Sequence, residues 1–275
     1  MSEPRTLTDR TVCVTGASSG FGRAIAEHLG GLGAHVFLAG RTREPMEASA
    51  AAIHDAGGRA DIAVFDVTDT GALTAWIRGA AEQTGRLDVM INNAGFGVDP
   101  GGVIDGDPEA WKAMFDVNVI ALAAGCQAAV LAMRSSGSEG NIINISSTAA
   151  LKRETGLYGA TKHAVDVIGS TLRSELEADP IRVTTIKPGV FSTNFLRNMD
   201  RDAVTALANR AGITEPDFDE QGRLPRDQID AIADVMTPIV GQPVRVAEAI
   251  EYVINQPIEL NIEELVIRPQ KSMFG

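Results

Sequence analysis

Tyr158 and Lys162 are four residues apart in a segment whose apolar spacing predicts a helix over residues 157–178. Residues at that spacing share one face of a helix, so we expect the phenol and the ammonium to be neighbours. A free tyrosine, with a pKa of about 10, is a poor acid or base at neutral pH, but a nearby ammonium favours the phenolate and lowers that pKa. The pair therefore predicts a group that moves a proton, although the same spacing, taken alone, also fits an exposed helix surface.

Two adjacent serines offer a hydroxyl for the same chemistry. Ser146 and Ser147 end a predicted strand over residues 141–145. A hydroxyl near a carbonyl can donate a hydrogen bond as negative charge develops on the oxygen. We predict Ser147 for this role and keep Ser146 as the alternative, because the link from Ser147 to Tyr158 spans only eleven steps and carries charged residues at 152–154.

Asn118 is a polar residue within an apolar stripe. A long helix is predicted over residues 109–133, and the stripe along it consists of Phe115, Leu122, Cys126, Val130 and Met133. Asn118 falls inside this stripe, so we expect it to be buried, where an amide needs hydrogen-bond partners. Either the backbone satisfies this amide and the helix bends, or the amide serves the Tyr158–Lys162 pair.

A glycine-rich turn follows the first predicted strand, which covers residues 11–15, and leads into a helix predicted over residues 21–32. Glycines allow a tight turn and close backbone approach, and a helix N-terminus offers N–H groups and a positive dipole end to a pyrophosphate. In an α/β chain this position is typical of a dinucleotide-binding turn. The residues predicted to bind the cofactor here are Gly16, Ser18, Ser19, Gly20, Phe21 and Gly22.

The end of the second predicted strand, over residues 35–39, indicates which dinucleotide is bound. Many dinucleotide folds place an acidic residue there to bind the ribose hydroxyls, but here Arg41 follows Gly40. A guanidinium can form two parallel hydrogen bonds with a phosphate. Arg41 therefore favours NADP(H), without excluding NAD(H); the alternative is that Arg41 is a solvated loop residue.

The remaining pattern predicts how these residues are positioned. Short apolar runs alternate with helical patterns, which predicts a parallel sheet with helices on both faces. Further strands are predicted over residues 61–65, 87–91, 181–186 and 265–267, and further helices over 43–56, 72–84 and 244–254. The alternation stops between residues 191 and 241, where we expect a substrate-binding lid. No linker or repeat marks a second domain, so residues 1–275 are predicted to form one.

Composition excludes several classes of function. With a formal net charge of -12, the chain lacks the basic surface that nucleic acids need, and an anionic membrane surface is equally unfavourable. We expect no apolar run long enough to span a bilayer. Cys13 and Cys126 lie in apolar segments and are predicted to be buried free thiols of a reducing, cytoplasmic compartment. The histidines form no motif with cysteines or carboxylates, so no metal is expected.

Taken in order, these motifs resemble those of the short-chain dehydrogenase/reductase family over nearly the whole chain. The segments that carry the resemblance are Thr15-Gly16 to Gly22, Asp66-Val67, Asn92-Asn93-Ala94-Gly95, Asn118, Asn144-Ile145-Ser146-Ser147, Tyr158 to Lys162, and Pro188-Gly189 with Thr193. The resemblance implies a single-domain Rossmann fold of the α/β class, a doubly wound seven-stranded parallel sheet with helices on both faces. Family members usually have a slightly longer link between the serine and the tyrosine, so an altered rim of the substrate pocket is expected.

The resemblance also implies a function, that of an NAD(P)-dependent oxidoreductase that interconverts a secondary alcohol and a carbonyl by hydride transfer. Tyr158 would be the general acid/base, Lys162 would tune it and bind the nicotinamide ribose, and Asn118 would order a water beside Lys162. Further cofactor contacts are implied for Asp66 and Val67 at the adenine, for Asn93, Ala94 and Gly95 along the cleft, and for Pro188, Gly189, Val190 and Thr193 near the nicotinamide.

The substrate and the partners are implied by the resemblance alone. Residues 256–269 resemble a branch that includes 3-hydroxy-acid and serine dehydrogenases, which implies a small 3-hydroxy acid or another small alcohol or ketone. A homotetramer or homodimer is implied as well. Two other functions stay open: a non-catalytic dinucleotide-binding redox sensor or regulator, which would not need the complete Asn118, Ser147, Tyr158 and Lys162 set, and a sugar-nucleotide epimerase or dehydratase, which the glycine spacing disfavours.

Overall fold

The structure, a computed structural model, describes residues 7–97, 103–193, 201–219, 224–235 and 239–271. Seven strands form one parallel sheet in the order β3-β2-β1-β4-β5-β6-β7. Their bounds are β1 Thr11–Thr15, β2 His35–Gly40, β3 Arg59–Val64, β4 Val89–Asn92, β5 Gly140–Ile145, β6 Ile181–Pro188 and β7 Glu264–Ile267. The chain steps outward from β1 to β3, returns to β4 beside β1, and then steps outward again, so the sheet is doubly wound, as predicted.

Helices cover both faces of this sheet. Their bounds are α1 Gly20–Gly31, α2 Arg43–Asp55, α3 Thr70–Thr84, α4 Pro108–Phe115, α5 Leu122–Ser136, α6 Gly156–Glu175, α7 Arg201–Arg210, α8 Arg226–Val235 and α9 Val244–Ile254. Apolar side chains of α1, α2 and α9 pack on one face, and those of α3, α5 and α6 pack on the other. The predicted single-domain Rossmann fold is therefore confirmed.

The five inner strands, β1, β2, β4, β5 and β6, are buried on both sides, which explains why their sequences show no polar alternation. In β1, Val12 and Val14 belong to the core beneath α1 and α9, whereas Cys13 belongs to the core beneath α3 and α5. Cys13 and Cys126 are both buried free thiols, as predicted. Burial raises the pKa of the Cys126 thiol to about 12, so this thiol is protonated at neutral pH.

The helix predicted over residues 109–133 is interrupted. A π-helical turn, Asp116–Ala121, joins α4 to α5 and contains Asn118; such turns insert a residue into the helical repeat and often occur at functional sites. The whole run Pro108–Ser136 is long and apolar enough to cross a membrane, so the expectation that no run reaches that length was wrong. Its most apolar window is 56% buried inside the protein, because α5 packs against the sheet.

The segment between residues 191 and 241 contains the helices α7 and α8, which its sequence pattern did not predict. Its described part encloses a small apolar core made by Val204, Leu207, Ala208, Leu224, Ile229, Ile232 and Val240. The two ends of the segment meet, because Phe191 and Gly241 form a parallel bridge. The N–H of Ser192 donates to the Gly241 carbonyl at 2.9 Å, and the N–H of Gly241 donates to the Val190 carbonyl at 3.0 Å.

Candidate active site

The turn from β1 into α1 requires glycine at specific positions. Gly16 has φ +67°, and a Cβ there would lie 2.9 Å from the Cα of Ala94. A Cβ on Gly22 would lie 2.3 Å from the carbonyl oxygen of Gly16. Gly20 begins α1 with φ +56°, a conformation that other residues rarely adopt. The first turn of α1 contains no acidic side chain, so the helix N-terminus suits an anion such as a phosphate.

The turn that follows β4 holds this glycine turn in place. The side-chain amide of Asn93 donates to the carbonyls of Thr15 at 2.8 Å and Gly16 at 3.3 Å. In return, the hydroxyl of Thr15 accepts the N–H groups of Asn93 at 3.0 Å and Ala94 at 3.1 Å. Both turns lie at the carboxyl edge of the sheet, where ligands of doubly wound folds bind. The amide of Asn93 thus contacts the backbone of the glycine turn, a role that the sequence did not indicate.

Polar side chains meet beyond the ends of β2 and β3. The Arg41 side chain is 79% exposed, and its Nη1 lies 3.9 Å from Oδ2 of Asp66. The hydroxyl of Ser18 is close by, 3.4 Å from where a Cβ on Gly40 would lie. The N–H of Thr68 and the nearby Arg41 guanidinium lower the pKa of Asp66, so this carboxylate is charged at neutral pH.

A small cavity lies at the ends of β1 and β4. Its lining is mostly apolar and consists of Thr15, Val67, Leu73, Asn92, Ala94, Val117, Ala121 and Leu122. The predicted residues Val67 and Ala94 therefore line one cavity, beside the glycine turn and the predicted residue Asp66.

Tyr158, Ser147 and Lys162 come together at the start of α6. The Ser147 hydroxyl is close enough to the Tyr158 side chain to lower its pKa in part, and Nζ of Lys162 lies 5.8 Å from the centre of the Tyr158 ring. Ser147 Oγ accepts the N–H of Ala149 at 3.1 Å, which leaves its own proton for another oxygen. The site thus contains a phenol, a hydroxyl and an amine within reach of one small group.

The pKa of Tyr158 differs from the sequence-based expectation. Burial raises this pKa above its ordinary value, and the hydrogen bond with Ser147 offsets only part of the effect. The expectation of a Tyr158 pKa below its ordinary value was therefore wrong for this structure. The physical reason is that the phenolate loses more hydration inside the protein than it gains from its neighbours.

Lys162 is itself buried, with 4% of its surface exposed. Nζ donates to the carbonyl of Ile145, at the end of β5, at 3.0 Å. Burial lowers the pKa of Lys162 to about 8, although the carboxylate of Asp166 raises it in part. The amine therefore changes its charge close to neutral pH. A Cβ on Gly95 would lie 3.4 Å from this amine, so the turn after β4 also touches Lys162.

Asn118 is buried, as predicted, with 1% of its surface exposed. Its Oδ1 accepts the N–H of Phe96 at 3.0 Å, and its Nδ2 donates to the carbonyl of Phe96 at 2.9 Å and to the hydroxyl of Thr161 at 3.1 Å. This pairing brings the next residue, Gly97, against the Tyr158 ring, where a Cβ would lie 3.1 Å from a ring carbon. The amide is satisfied largely by the backbone and lies in a distorted helical turn. This agrees with the first alternative drawn from the sequence, in which the backbone satisfies the amide and the helix bends.

Ser146 and Ser147 have different surroundings. Ser146 is buried, and its Oγ contacts the Lys162 carbonyl at 3.2 Å and donates to Oδ1 of Asp166 at 2.7 Å. Ser147 is only half-buried and acts on the pKa of Tyr158. The geometry therefore favours Ser147 as the hydroxyl that faces a reacting group.

The segment after β6 reaches the glycine turn. Pro188 ends β6, and the N–H of Gly189 donates to the carbonyl of Ile267 at 2.8 Å. Phe191 packs edge-on against Phe21 at 5.4 Å between ring centres. The Cβ of Thr193 lies 3.3 Å from where a Cβ on Gly20 would lie. Val190, in contrast, packs on the small core of the 191–241 segment.

Several residues at the site were not predicted from the sequence. They are Phe96, Gly97, Thr161, Asp166 and Lys187. Lys187 alone carried a signal, because it directly follows the strand predicted over residues 181–186, and a lysine at the end of a buried strand implies a partner. In the described part of the chain, His, Cys, Asp and Glu side chains form no group of three or more that could hold a metal ion.

Comparison with known proteins gives a consistent result. The family model described as "short chain dehydrogenase" matches residues 10–204. An uncharacterized oxidoreductase of Staphylococcus saprophyticus is 31% identical over 266 residues, which cover 96% of this chain and 98% of that protein.

Solved structures agree over almost the full length. A metagenomic short-chain oxidoreductase in complex with NADP is 27% identical, with a TM-score of 0.74 over 98% of this chain and 100% of that one. A short-chain dehydrogenase/reductase from Serratia marcescens is 25% identical, with a TM-score of 0.77 over 97% of this chain and 99% of that one.

Proposed function

The chain belongs to the short-chain dehydrogenase/reductase family of oxidoreductases, and on that premise we propose that it interconverts a secondary alcohol and a carbonyl with NADP(H) and uses Tyr158 as the general acid/base. The observation that carries the proposal is the meeting of Tyr158, Ser147 and Lys162 at the carboxyl edge of the sheet. A protein that only binds a dinucleotide has no need for this set of proton-exchanging groups.

The residues of the turn after β1 fit a dinucleotide. The backbone at Gly16 and Gly22 approaches its neighbours so closely that a Cβ would lie within 3 Å of other atoms, and the N-terminus of α1 follows at once. We assign the phosphates to this turn, from Gly16 to Gly22, and the adenine to the neighbourhood of Asp66 and Val67. Pro188, Gly189, Val190 and Thr193 would hold the nicotinamide end.

When bound, the nicotinamide supplies or accepts the hydride. In carbonyl reduction the hydroxyl of Tyr158 donates its proton to the substrate oxygen, while the Ser147 hydroxyl donates a hydrogen bond to the same oxygen. The raised pKa of Tyr158 keeps this proton in place until the oxygen becomes basic. Below about pH 8 Lys162 is charged, and its ammonium stabilises the phenolate that remains. In alcohol oxidation the same groups act in reverse.

NADP(H) is favoured over NAD(H) by the surroundings of Arg41. Its guanidinium is largely exposed at the end of β2, where a 2′-phosphate on the adenosine ribose would lie in this fold, and the Ser18 hydroxyl is close by. The metagenomic relative in complex with NADP supports the same choice.

The substrate is proposed to be a small alcohol or ketone, with a small 3-hydroxy acid first among them. The segment from residue 191 to residue 241 is proposed as the part that covers it. Its described helices form their own small core, and its two ends join beside Phe191, which contacts Phe21 of α1.

The test is consumption of NADPH and NADH against a panel of small 3-oxo acids, cyclic ketones and other carbonyls, with Tyr158→Phe as the key variant. We expect NADPH turnover with at least one member of the panel and a loss of about a thousandfold in kcat for Tyr158→Phe. Tyr252→Phe is the matched control, because Tyr252 is the only other tyrosine and is 60% exposed on α9.

Turnover that survives Tyr158→Phe unchanged would contradict the assigned mechanism. Binding of NADPH, followed by its fluorescence, without turnover of any carbonyl would instead favour the non-catalytic redox sensor.

A further inference from the structure

The sheet surface beneath α6 is polar, although it lies in the interior. Ser146 follows β5 and Lys187 lies near the end of β6, and the two directly follow the paired residues Ile145 and Ile186. Lys187 has 4% of its side chain exposed. A buried ammonium is costly unless it is paired, so the groups around Lys187 have a reason to be there.

Two carboxylates pair with Lys187. Its Nζ lies 2.9 Å from Oδ2 of Asp166 on α6 and 2.7 Å from Oε2 of Glu264 on β7. The second oxygen of Asp166 accepts the hydroxyl of Ser146 at 2.7 Å. The Asp166 carboxylate is therefore held on both oxygens, and only 17% of its side chain is exposed.

Asp166 is also four residues after Lys162 on the same helix, so their side chains share one face. The charges of Lys162, Asp166, Lys187 and Glu264 then alternate in sign from the candidate site to the edge strand β7. The carboxylate of Asp166 acts directly on Lys162, because it favours the charged form of that amine.

The other described surroundings of Lys162 carry no charge. Tyr158 is the titratable neighbour on its own helix, β5 presents the Ile145 carbonyl, and the turn after β4 presents Gly95. Asn118 contacts the same turn with a neutral amide. Among its described surroundings, Asp166 is therefore the group that brings a charge to this amine, and Lys187 and Glu264 pair with Asp166 or with each other.

We propose that Asp166 is a positioning residue, which holds a fixed negative charge beside Lys162, and that Lys187 limits how strongly this charge acts. Together they would set the pH at which the Lys162–Tyr158 pair exchanges protons. The inference rests on the proposed function only in taking Lys162 and Tyr158 as the proton-exchanging pair.

The chain allows a direct test, because it has only five lysines, at positions 112, 152, 162, 187 and 271. Full-length protein labelled with ¹³C and ¹⁵N in lysine gives one Cε–Nζ signal for each, and Lys162→Arg identifies the signal of Lys162. A pH titration of that signal measures the charge on Lys162 without substrate or turnover.

Two substitutions of opposite charge are expected to move the Lys162 titration in opposite directions. Asp166→Asn removes a negative charge and lowers the pKa of Lys162 by about one unit, whereas Lys187→Met removes a positive charge and raises it by a smaller amount. The double variant falls between the two single variants. Asp179→Asn, four residues beyond the end of α6 and bound to Arg134, is the charge-matched control and leaves the titration unchanged.

A purely structural role for Asp166 predicts a different result. In that case both single variants lower the melting temperature, but Lys162 titrates at the wild-type pH in each, and the proposal is overturned. Shifts of the same sign in both variants overturn it as well. If Lys187→Met does not fold, a comparison of Asp166→Asn with the double variant still tests the proposal. Asp166→Asn retains the Lys187–Glu264 pair, whereas the double variant removes both partners of the Asp166–Lys187 pair.

The pH profile of kcat/KM is the second readout. It is expected to shift in the same direction as the Lys162 titration in each variant. If Asp166→Asn and Lys187→Met shift the Lys162 titration in opposite directions but no carbonyl is turned over, this inference is supported and the proposed function is rejected. The two can therefore fail separately.

Discussion

The side-chain amide of Asn118 pairs with the main chain of Phe96 through both of its polar atoms, at 3.0 Å and 2.9 Å. This is the pattern by which one strand pairs with the next, but here a side chain in a π-helical turn provides it. The pairing fixes the backbone between Gly95, which touches Lys162, and Gly97, which touches the Tyr158 ring.

Asn118→Ala is expected to lower kcat by about a hundredfold, because a small displacement of the reacting groups costs that much. Steady-state kinetics with NADPH measures the loss. Thr161→Val is the comparison, since it removes the third hydrogen bond of Asn118 and the bond from Thr161 to the Tyr158 carbonyl but retains both bonds to Phe96; we expect a loss of less than about tenfold. Equal and small effects of the two variants would show that the pairing does not position the site.

Ser147→Ala and Ser146→Ala are expected to act on different quantities. Loss of the Ser147 hydroxyl, which acts on the pKa of Tyr158, lowers kcat by about a hundredfold with little change in melting temperature. Loss of the Ser146 hydroxyl, which bonds to Asp166, lowers the free energy of unfolding by about 1–2 kcal/mol and affects kcat less. The reverse pattern, measured by kinetics and denaturant unfolding, would make Ser146 the hydroxyl that acts on substrate.

Arg41→Ala is expected to raise the KM for NADPH about tenfold and to leave the KM for NADH unchanged, because a charged hydrogen bond to a phosphate is lost. Arg43→Ala is the matched control. Arg43 is two residues away and similarly exposed, but its Nη1 lies 3.7 Å from Glu47 on its own helix. A loss of NADPH and NADH affinity to the same extent would refute the assignment of Arg41 to the 2′-phosphate.

Gly22→Ala is expected to lower the free energy of unfolding by about 1–3 kcal/mol and to weaken NADPH binding, because the new Cβ would lie 2.3 Å from the Gly16 carbonyl oxygen and the turn must shift. Gly79→Ala, within α3, has no atom within 4 Å of the added carbon. That substitution is expected to raise the free energy of unfolding by about 0.4–1 kcal/mol. Tight NADPH binding by Gly22→Ala would mean that this turn does not hold the phosphates.

Val167→Asp is expected to convert a homotetramer or homodimer to smaller species, as measured by sedimentation velocity. Val167 on α6 is 65% exposed and Ile120 in the neighbouring π-helical turn is 55% exposed, and apolar side chains on adjoining helices favour contact with another chain. Val64→Asp, at the end of β3 on the opposite edge of the sheet, is the control. A wild-type protein that sediments as a monomer would remove the basis for the prediction.

The sequence predicted the strands of the parallel sheet and most helices, because unbroken apolar runs and glycine turns reflect local rules that the fold obeys. The doubly wound topology was implied by the family resemblance, and the order of the strands was not predicted. Strand and helix ends were less accurate: β3 begins at Arg59 rather than at residue 61, and α6 ends at Glu175 rather than at residue 178. Ends depend on which backbone groups find partners across the sheet, and single-chain periodicity carries little of that information.

The sequence predicted those site residues whose type is unusual for their position in the chain. Tyr158, Lys162, Asn118 and the glycines are of this kind. The raised pKa of Tyr158 was missed because burial is a property of the packed protein. Asp166 was missed because an acidic residue on a helix usually faces solvent. That Asp166 is instead largely buried follows only from its ion pair with Lys187 of β6.

The bridge between Phe191 and Gly241 has an evolutionary consequence. The segment between them leaves and rejoins the domain at one point, so its length and sequence can change without altering β6 or α9, at little cost in loop entropy. Selection could therefore exchange the whole segment while the residues at the end of the sheet stay as they are, and under its proposed role as the cover of the substrate this would change the range of substrates. Grafting the corresponding segment from a relative is a natural route to new specificities on this scaffold.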